Sequence, residues 1–201
     1  MPAETTKPKL TSRFDEALAY ASNLHRTQER KGSGIPYIGH LLSVASLVIE
    51  GGGDETQAIA GLLHDAVEDQ GGAKTLAEIR EKFGDEVAKI VDECSDTDEV
   101  PKPPWKPRKE RYINHLGYAS KATILVSLAD KVDNARAILR DYRTDGPAVF
   151  QRFNEKNPRE HVWYYRELLK VYKRHENGWL IVELERVLDT LEGLINDAAK
   201  G

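Results

Sequence analysis

Residues 122–143, "ATILVSLADKVDNARAILRDYR", decide the fold class. The run opens apolar on nearly every side of a helix, and a helix without a polar face belongs inside a core. Asp130 stands at the end of its apolar part. A buried carboxylate without a partner costs several kcal/mol or gives up its charge. Ser127, Asp130 and Asn134 recur at three- and four-residue steps, so they form a polar stripe down this helix, as the wall of a site would. The plainer alternative is a salt bridge, with Lys131, Arg136 or Arg140 as the partner of Asp130.

On both sides of this helix the spacing stays helical and strand signals are nearly absent. "RFDEALAYASNLHRTQ" (13–28) places Phe14, Leu18, Ala21 and Leu24 on one face, with Thr11 or Ser12 as the cap. "ERKGSGIP" (29–36) breaks the pattern, and a second helix runs from Pro36 to Glu50. "GGG" (51–53) ends it, and Asp54 caps a third helix. Two further helices occupy "TLAEIREKF" (75–83) and "DEVAKIVDEC" (85–94), and residues 96–108, with four prolines, read as an irregular loop. Arg159–Arg174 forms another helix. In the last one, "WLIVELERVLDTLEGLI" (179–195), Leu180, Leu184, Val187, Leu188, Leu191 and Ile195 make one stripe that seals the core or pairs two subunits. The expectation is an all-α bundle of roughly eight to ten helices.

Composition narrows the partners. No run of about 18 apolar residues predicts a membrane span, and "MPAETTKPKL" lacks the apolar core of a signal peptide. The single Cys94 suits a reducing, cytoplasmic setting. With 29 basic and 33 acidic residues the net charge is −4, which argues against a nucleic-acid polymer but leaves room for a small phosphorylated ligand.

"GLLHDAVEDQ" (61–70) carries the chemistry. Residues four apart on a helix lie about 40° from each other and neighbours about 100°. On one helix, Ile59, Leu62, Leu63, Ala66 and Val67 make an apolar face. His64 and Glu68 then form one polar stripe, and Asp65 and Asp69 a second beside it. Gly61, one turn before Asp65, leaves room for a close approach. A solvated helix face has the same pattern. His40, in "PYIGHLLSVASLVI", is either a hydrogen-bonded core histidine or a ligand. Together His40, His64, Asp65 and Asp130 would offer nitrogen and oxygen donors suited to Mn²⁺, Mg²⁺, Fe²⁺ or Zn²⁺. A cation there lowers the pKa of water, and Glu68 and Asp69 could orient that water and manage its protons.

The order of His40, the His64-Asp65 doublet and Asp130 resembles the HD superfamily of metal-dependent phosphohydrolases. "RKGSGIPYIGH", "AGLLHDAVED", "FGDEVAKIVDE" and "SLADKVDNAR" are similar to successive blocks of the (p)ppGpp hydrolase domain of Rel/Spo proteins, especially the stand-alone small alarmone hydrolases. The doublet alone is weak, whereas four ordered blocks are strong.

The resemblance covers roughly residues 13 to 175, and the chain is expected to divide into a flexible segment at 1–10, an HD domain over residues 11–175, and a C-terminal helix within 176–201 packing on the domain or on a second subunit. The resemblance implies one Mn²⁺ held by His40, His64, Asp65 and Asp130, with Glu68 and Asp69 working on the attacking water. Arg30 and Lys31 would lie beside the nucleotide, where an arginine can stack on guanine; the alternative is a solvated loop pair. Asn134 would face the ribose or a phosphate, Tyr164 would contact substrate or simply pack, and Lys106 would reach a distal phosphate or remain an exposed loop lysine.

Several positions depart from the family pattern. Leu41 stands where the family usually has proline, and Gln70 replaces a common threonine. "CSDTDEVPKPPW" differs from the usual stretch, and the loop after Arg30 is one residue off the commonest length. The expected reaction is hydrolysis of the 3′-pyrophosphate of guanosine 3′-diphosphate 5′-(di)phosphate, without synthesis of that compound. The rivals are an HD hydrolase of another nucleotide or 3′-phosphorylated cofactor, and a non-catalytic nucleotide-binding module. A nucleotide is the expected partner, and a homodimer is one arrangement of the last helix.

Overall fold

Ten α-helices follow one another among the residues that the computed structural model describes, namely 10–97, 101, 103–175 and 178–199. They are α1 (Ser12–Leu24), α2 (Ile38–Glu50), α3 (Glu55–Leu63), α4 (Ala66–Asp69) and α5 (Ala73–Phe83). The second half holds α6 (Asp85–Cys94), α7 (Trp105–Leu116), α8 (Lys121–Asp145), α9 (Pro158–His175) and α10 (Trp179–Ala198), with a 3₁₀ turn at Gly146–Arg152. The all-α expectation holds: the described residues contain no strand beyond an isolated bridge between Glu29 and Pro36. Of the expected flexible segment 1–10, all but Leu10 lies outside the described residues.

α8 is the axis of the bundle. Ser120 caps it by accepting from the Thr123 amide at 3.1 Å, and its first turns bury Ile124, Val126, Leu128 and Ala129. α2, α3, α6, α9 and α10 all pack against it. Each such aliphatic side chain contributes about 1.5–3 kcal/mol by leaving water. The stripe of α10, from Leu180 to Ile195, is buried against α8 and α9.

Four local expectations need correction. α1 stops at Leu24, short of Gln28, because the chain turns at His25 to bridge Glu29 with Pro36. That same bridge carries the Tyr37 amide onto the Gln28 carbonyl at 2.9 Å, so α2 opens at Ile38 instead of Pro36. The loop after α6 ends at Pro104, since Pro107 falls in the first turn of α7, where an amide hydrogen has no intrahelical partner to lose. The fourth correction matters most. The helix through "GLLHDAVED" is not continuous: His64 and Asp65 form a turn between α3 and α4.

Gly61 does provide a close approach, and what approaches is α2. A Cβ there would stand 3.3 Å from the Ala45 Cα and 3.4 Å from its nitrogen. The glycine therefore draws α2 and α3 together, and with them His40 and His64.

Candidate metal and nucleotide site

Four side chains from three places meet at the centre of the bundle. His40 comes from the first turn of α2, His64 and Asp65 from the α3–α4 turn, and Asp130 from the middle of α8. The His64 Nε2 lies 3.0 Å from Asp65 Oδ2 and 3.5 Å from Asp130 Oδ1. The His40 Nε2 lies 3.5 Å and 3.3 Å from the same two atoms. Donors held about 2.0–2.2 Å from one cation, at octahedral or tetrahedral angles, stand ~3.0–3.5 Å apart. The spacing fits.

The opposite ring nitrogens fix the tautomers. His64 Nδ1 donates to the Gly61 carbonyl at 2.9 Å, a contact open to it because the helix pauses there. His40 Nδ1 is 2.7 Å from Asp133 Oδ2. Both Nε2 atoms are thereby turned inward, and both are buried without a hydrogen-bond partner. A buried polar atom in that state is costly unless something else satisfies it, and a divalent cation would do so.

Electrostatics point the same way. Burial alone would lower the pKa of His40, but the carboxylates of Asp130, Asp133 and Asp65 outweigh it and push it up to about 9. His64 is likewise held well above its ordinary value against burial, by Asp65 and Asp130. Asp65 and Asp130 lie well below theirs: burial opposes this, but His64 and His40 for Asp65, and Lys131 and both histidines for Asp130, prevail. The cluster concentrates negative charge around two imidazoles, which favours a proton or a cation at Nε2. Cation binding would displace such a proton.

Beside this cluster opens a cavity of ≈ 400 Å³, within the range of small-molecule sites. Asp65, Glu68 and Asp69 line one side, and Arg30, Lys31, Arg108, Lys109, Lys131 and Arg152 contribute positive charge around it. Tyr37, Trp105, Phe153, Tyr164 and Tyr165 supply aromatic surface. Glu68 Oε2 accepts from the Asp96 amide at 3.3 Å, and Asp69 Oδ2 accepts from Gln28 Nε2 at 2.7 Å. Arg30 pairs with Asp133 and donates to Asn134 Oδ1 at 3.3 Å, while Asn134 donates to Asp130. Tyr164 is buried with an unpartnered hydroxyl. Ser127, in contrast, points into the core, between the hydroxyls of Tyr112 at 3.0 Å and Tyr172 at 2.8 Å. Lys106 lies outside the cavity, paired with Glu160 and stacked 3.5 Å above the Trp163 ring centroid. Of the basic partners considered for Asp130, Lys131 takes the role; Arg136 pairs with Glu183 and Arg140 with Asp141.

Sequence reasoning missed several residues here. Asp133 is three positions from Asp130 and so on the same helix face, which was a usable signal. Tyr37 donates to Asp65 at 2.5 Å, its phenol kept protonated by burial and by the Asp65 charge; its place three residues before His40 gave a weaker hint. Arg108, paired with Asp96, was hidden by reading residues 96–108 as loop, and Lys109, paired with the same carboxylate, follows directly after them. Burial lowers the pKa of Lys109, with Asp96 opposing.

The chain matches the family model described as "HD domain" over residues 17–172. It is 35% identical over 158 residues to the guanosine-3′,5′-bis(diphosphate) 3′-pyrophosphohydrolase MESH1 of Xenopus tropicalis, covering 77% of this chain and 82% of that protein. The Homo sapiens protein of the same name is 38% identical over 128 residues, 62% of this chain and 69% of that protein. A solved structure described as "A metazoan ortholog of SpoT hydrolyzes ppGpp and plays a role in starvation responses" superposes with a TM-score of 0.75 at 26% identity, covering 92% of this chain and 98% of that one. By the family model over most of its length and the relatives it matches, the chain belongs to the HD-domain family.

Proposed function

We propose that the protein hydrolyses the 3′-pyrophosphate of guanosine 3′-diphosphate 5′-(di)phosphate, releasing pyrophosphate and GDP or GTP. The observation that carries this reading is the pair of buried, unpartnered Nε2 atoms facing Asp65 and Asp130 at the wall of a cationic, aromatic-lined cavity. The likeness to proteins named as 3′-pyrophosphohydrolases of this nucleotide supplies the substrate.

His40, His64, Asp65 and Asp130 would hold one divalent cation; nitrogen and oxygen donors with no thiolate suit Mn²⁺, Mg²⁺, Fe²⁺ or Zn²⁺, and the resemblance to (p)ppGpp hydrolases favours Mn²⁺. When bound, such a cation polarises a phosphoryl oxygen and acidifies water. The chain's own groups do the rest. Glu68 and Asp69, one turn past the ligands on the cavity wall, take and return the proton of the attacking water. Lys131 and Lys109 face the charge that grows on the phosphoryl oxygens, in a setting where fixed charges act strongly. Arg30 and Lys31 receive the guanosine, and Asn134 and Tyr164 position the ribose end. We place this activity in the cytoplasm, on the strength of a single unpaired thiol, Cys94.

The test is a panel of nucleotides incubated with the full chain and Mn²⁺: ppGpp, pppGpp, a 3′-phosphorylated dinucleotide cofactor and nucleoside monophosphates. Pyrophosphate released from the first two is the expected result. Turnover of another member alone assigns a different substrate to the same site, and binding without turnover makes the protein a nucleotide sensor.

A further inference from the structure

One carboxylate outside the proposed ligand set touches both halves of the site. Asp133 Oδ2 receives His40 Nδ1 at 2.7 Å and also pairs with Arg30. Its Oδ1 accepts from Ser43 Oγ at 2.5 Å. The arrangement is reciprocal across two packed helices. α2 presents His40 and, three residues on, Ser43; α8 presents Asp130 and, three residues on, Asp133. Arg30 closes the circuit: its Nη1 donates to Asn134, which donates to Asp130, and its Nη2, beside Asp133, also lies 2.8 Å from His40 Nδ1.

We propose that Asp133 is a positioning residue that couples the two halves, with one carboxylate aiming His40 Nε2 at the cation and holding Arg30 in the cavity wall where the nucleotide lies. The proposal rests on the metal-site reading above and adds a residue to it. An acceptor on the second ring nitrogen fixes the tautomer and orientation of a ligating imidazole, and its loss typically lowers metal affinity by about 10–100-fold. The same carboxylate offsets the Arg30 charge and restricts its side chain, so that arginine enters substrate binding already placed. Two effects therefore follow from one substitution, one at the cation ligands and one at the nucleotide wall, and Asp133 is the carboxylate that bonds both His40 and Arg30.

The experiment uses the full chain with two variants, Asp133→Ala and Asp133→Asn. Mn²⁺ affinity is read from the electron spin resonance signal of the free ion, and KM and kcat from ppGpp hydrolysis at saturating Mn²⁺. The asparagine keeps the shape and one acceptor for His40 but no charge for Arg30. Asp133→Ala should weaken Mn²⁺ by about 10–100-fold and raise KM. Asp133→Asn should weaken Mn²⁺ less while raising KM comparably, and it carries the test if the alanine variant does not fold. A purely structural role predicts a lower melting temperature with both readouts within twofold of wild type, and that result overturns the proposal. So does loss of Mn²⁺ affinity with unchanged KM, or the reverse, in both variants. A wild-type chain that takes up no Mn²⁺ overturns the metal site itself and Asp133 with it; a wild-type chain that binds Mn²⁺ and hydrolyses ppGpp beside unaffected variants overturns only the coupling.

Discussion

The two ends of the site are built differently. At the cation end His40, His64 and Asp130 are buried, and they rise from long helices or from the turn between two. Their second atoms are held in turn by Gly61, Asp133 and Lys131, and Asn134 donates to the inward-facing Asp130 Oδ1. At the proposed nucleotide end Lys31 and Ser33 are exposed and sit on the loop between α1 and α2, while Phe153 and Asn154 follow the 3₁₀ turn. The first end is over-determined and tolerates little. The second is adjustable, as loops placed on a rigid scaffold tend to be. Reaction type should therefore depend on the helices, and substrate choice on the loops.

The largest effect should come from the rigid end. Asp130→Asn keeps the size of the side chain but removes the charge that balances Lys131 and opposes both histidines. The bound divalent metal, about one per chain in wild type, should fall well below that, and turnover should drop by about 10³-fold or more, the scale of a positioned charge at a transition state. Elemental analysis and Mn²⁺ titration check it. Unchanged stoichiometry and affinity would remove Asp130 from the ligand set.

Next in size is the pair Glu68→Gln with Asp69→Asn. These amides cannot take a proton from water, so a loss of about 10²–10⁴ in kcat is expected, with Mn²⁺ still bound. Were the two side chains only a solvated helix face, turnover would persist, with stability moving by about 0.5 kcal/mol or less. Pyrophosphate release measured beside Mn²⁺ affinity and thermal melting separates these outcomes.

These two predictions also mark what the sequence carries. α8 and Asp130 were legible because an all-apolar helix has one place to go and a carboxylate on it needs a reason. The break after α3 was not. His64 and Asp65 keep backbone angles of −58°/−30° and −96°/−1°, both in the right-handed region, with no glycine or proline between α3 and α4 to announce a turn. The wheel thus put the right residues near each other on a helix that is interrupted. Convergence of His40 with the doublet is a matter of how α2 crosses α3, which periodicity does not encode; Gly61 was its only trace. Asp133 was visible as a neighbour of Asp130, but its bond to His40 exists only once α2 packs on α8. At the loop end, one proline at position 107 disguised a helix start as a continuing loop, and with it Arg108.

A smaller, differently shaped effect is expected at the adjustable end. Arg30→Ala should raise KM for ppGpp about tenfold while changing kcat less, because a contact made equally in ground and transition states is uniform binding. Steady-state kinetics at fixed, saturating Mn²⁺ give the two constants separately. A collapse of kcat at constant KM would move Arg30 from binding into the chemistry and blur the division between the ends.

The smallest effect should fall on Lys106, and it sharpens the comparison by setting two nearby lysines of α7 against each other. Lys106 Nζ is stacked over Trp163 and paired with Glu160, with its side chain 41% exposed and away from the cavity. Lys109, one turn later, has its Nζ 2.6 Å from Asp96 and 4.8 Å from the Tyr164 ring centroid, inside the cavity. An exposed ion pair contributes about 0–1 kcal/mol and a surface cation–π contact about 0.5–1 kcal/mol. Lys106→Ala should therefore cost about 0.5–2 kcal/mol of stability and leave kcat/KM within about twofold. Lys109→Ala removes a buried cation from the wall and leaves Asp96 with Arg108 among the described basic residues, so kcat/KM should fall by about 10-fold or more, as for a charge-assisted contact. Thermal melting and ppGpp kinetics on the two variants side by side decide the matter. If Lys106→Ala lowers kcat/KM tenfold while Lys109→Ala does not, the nucleotide reaches across α7 on the other face, and the loop-built end extends further round the helix than the cavity does.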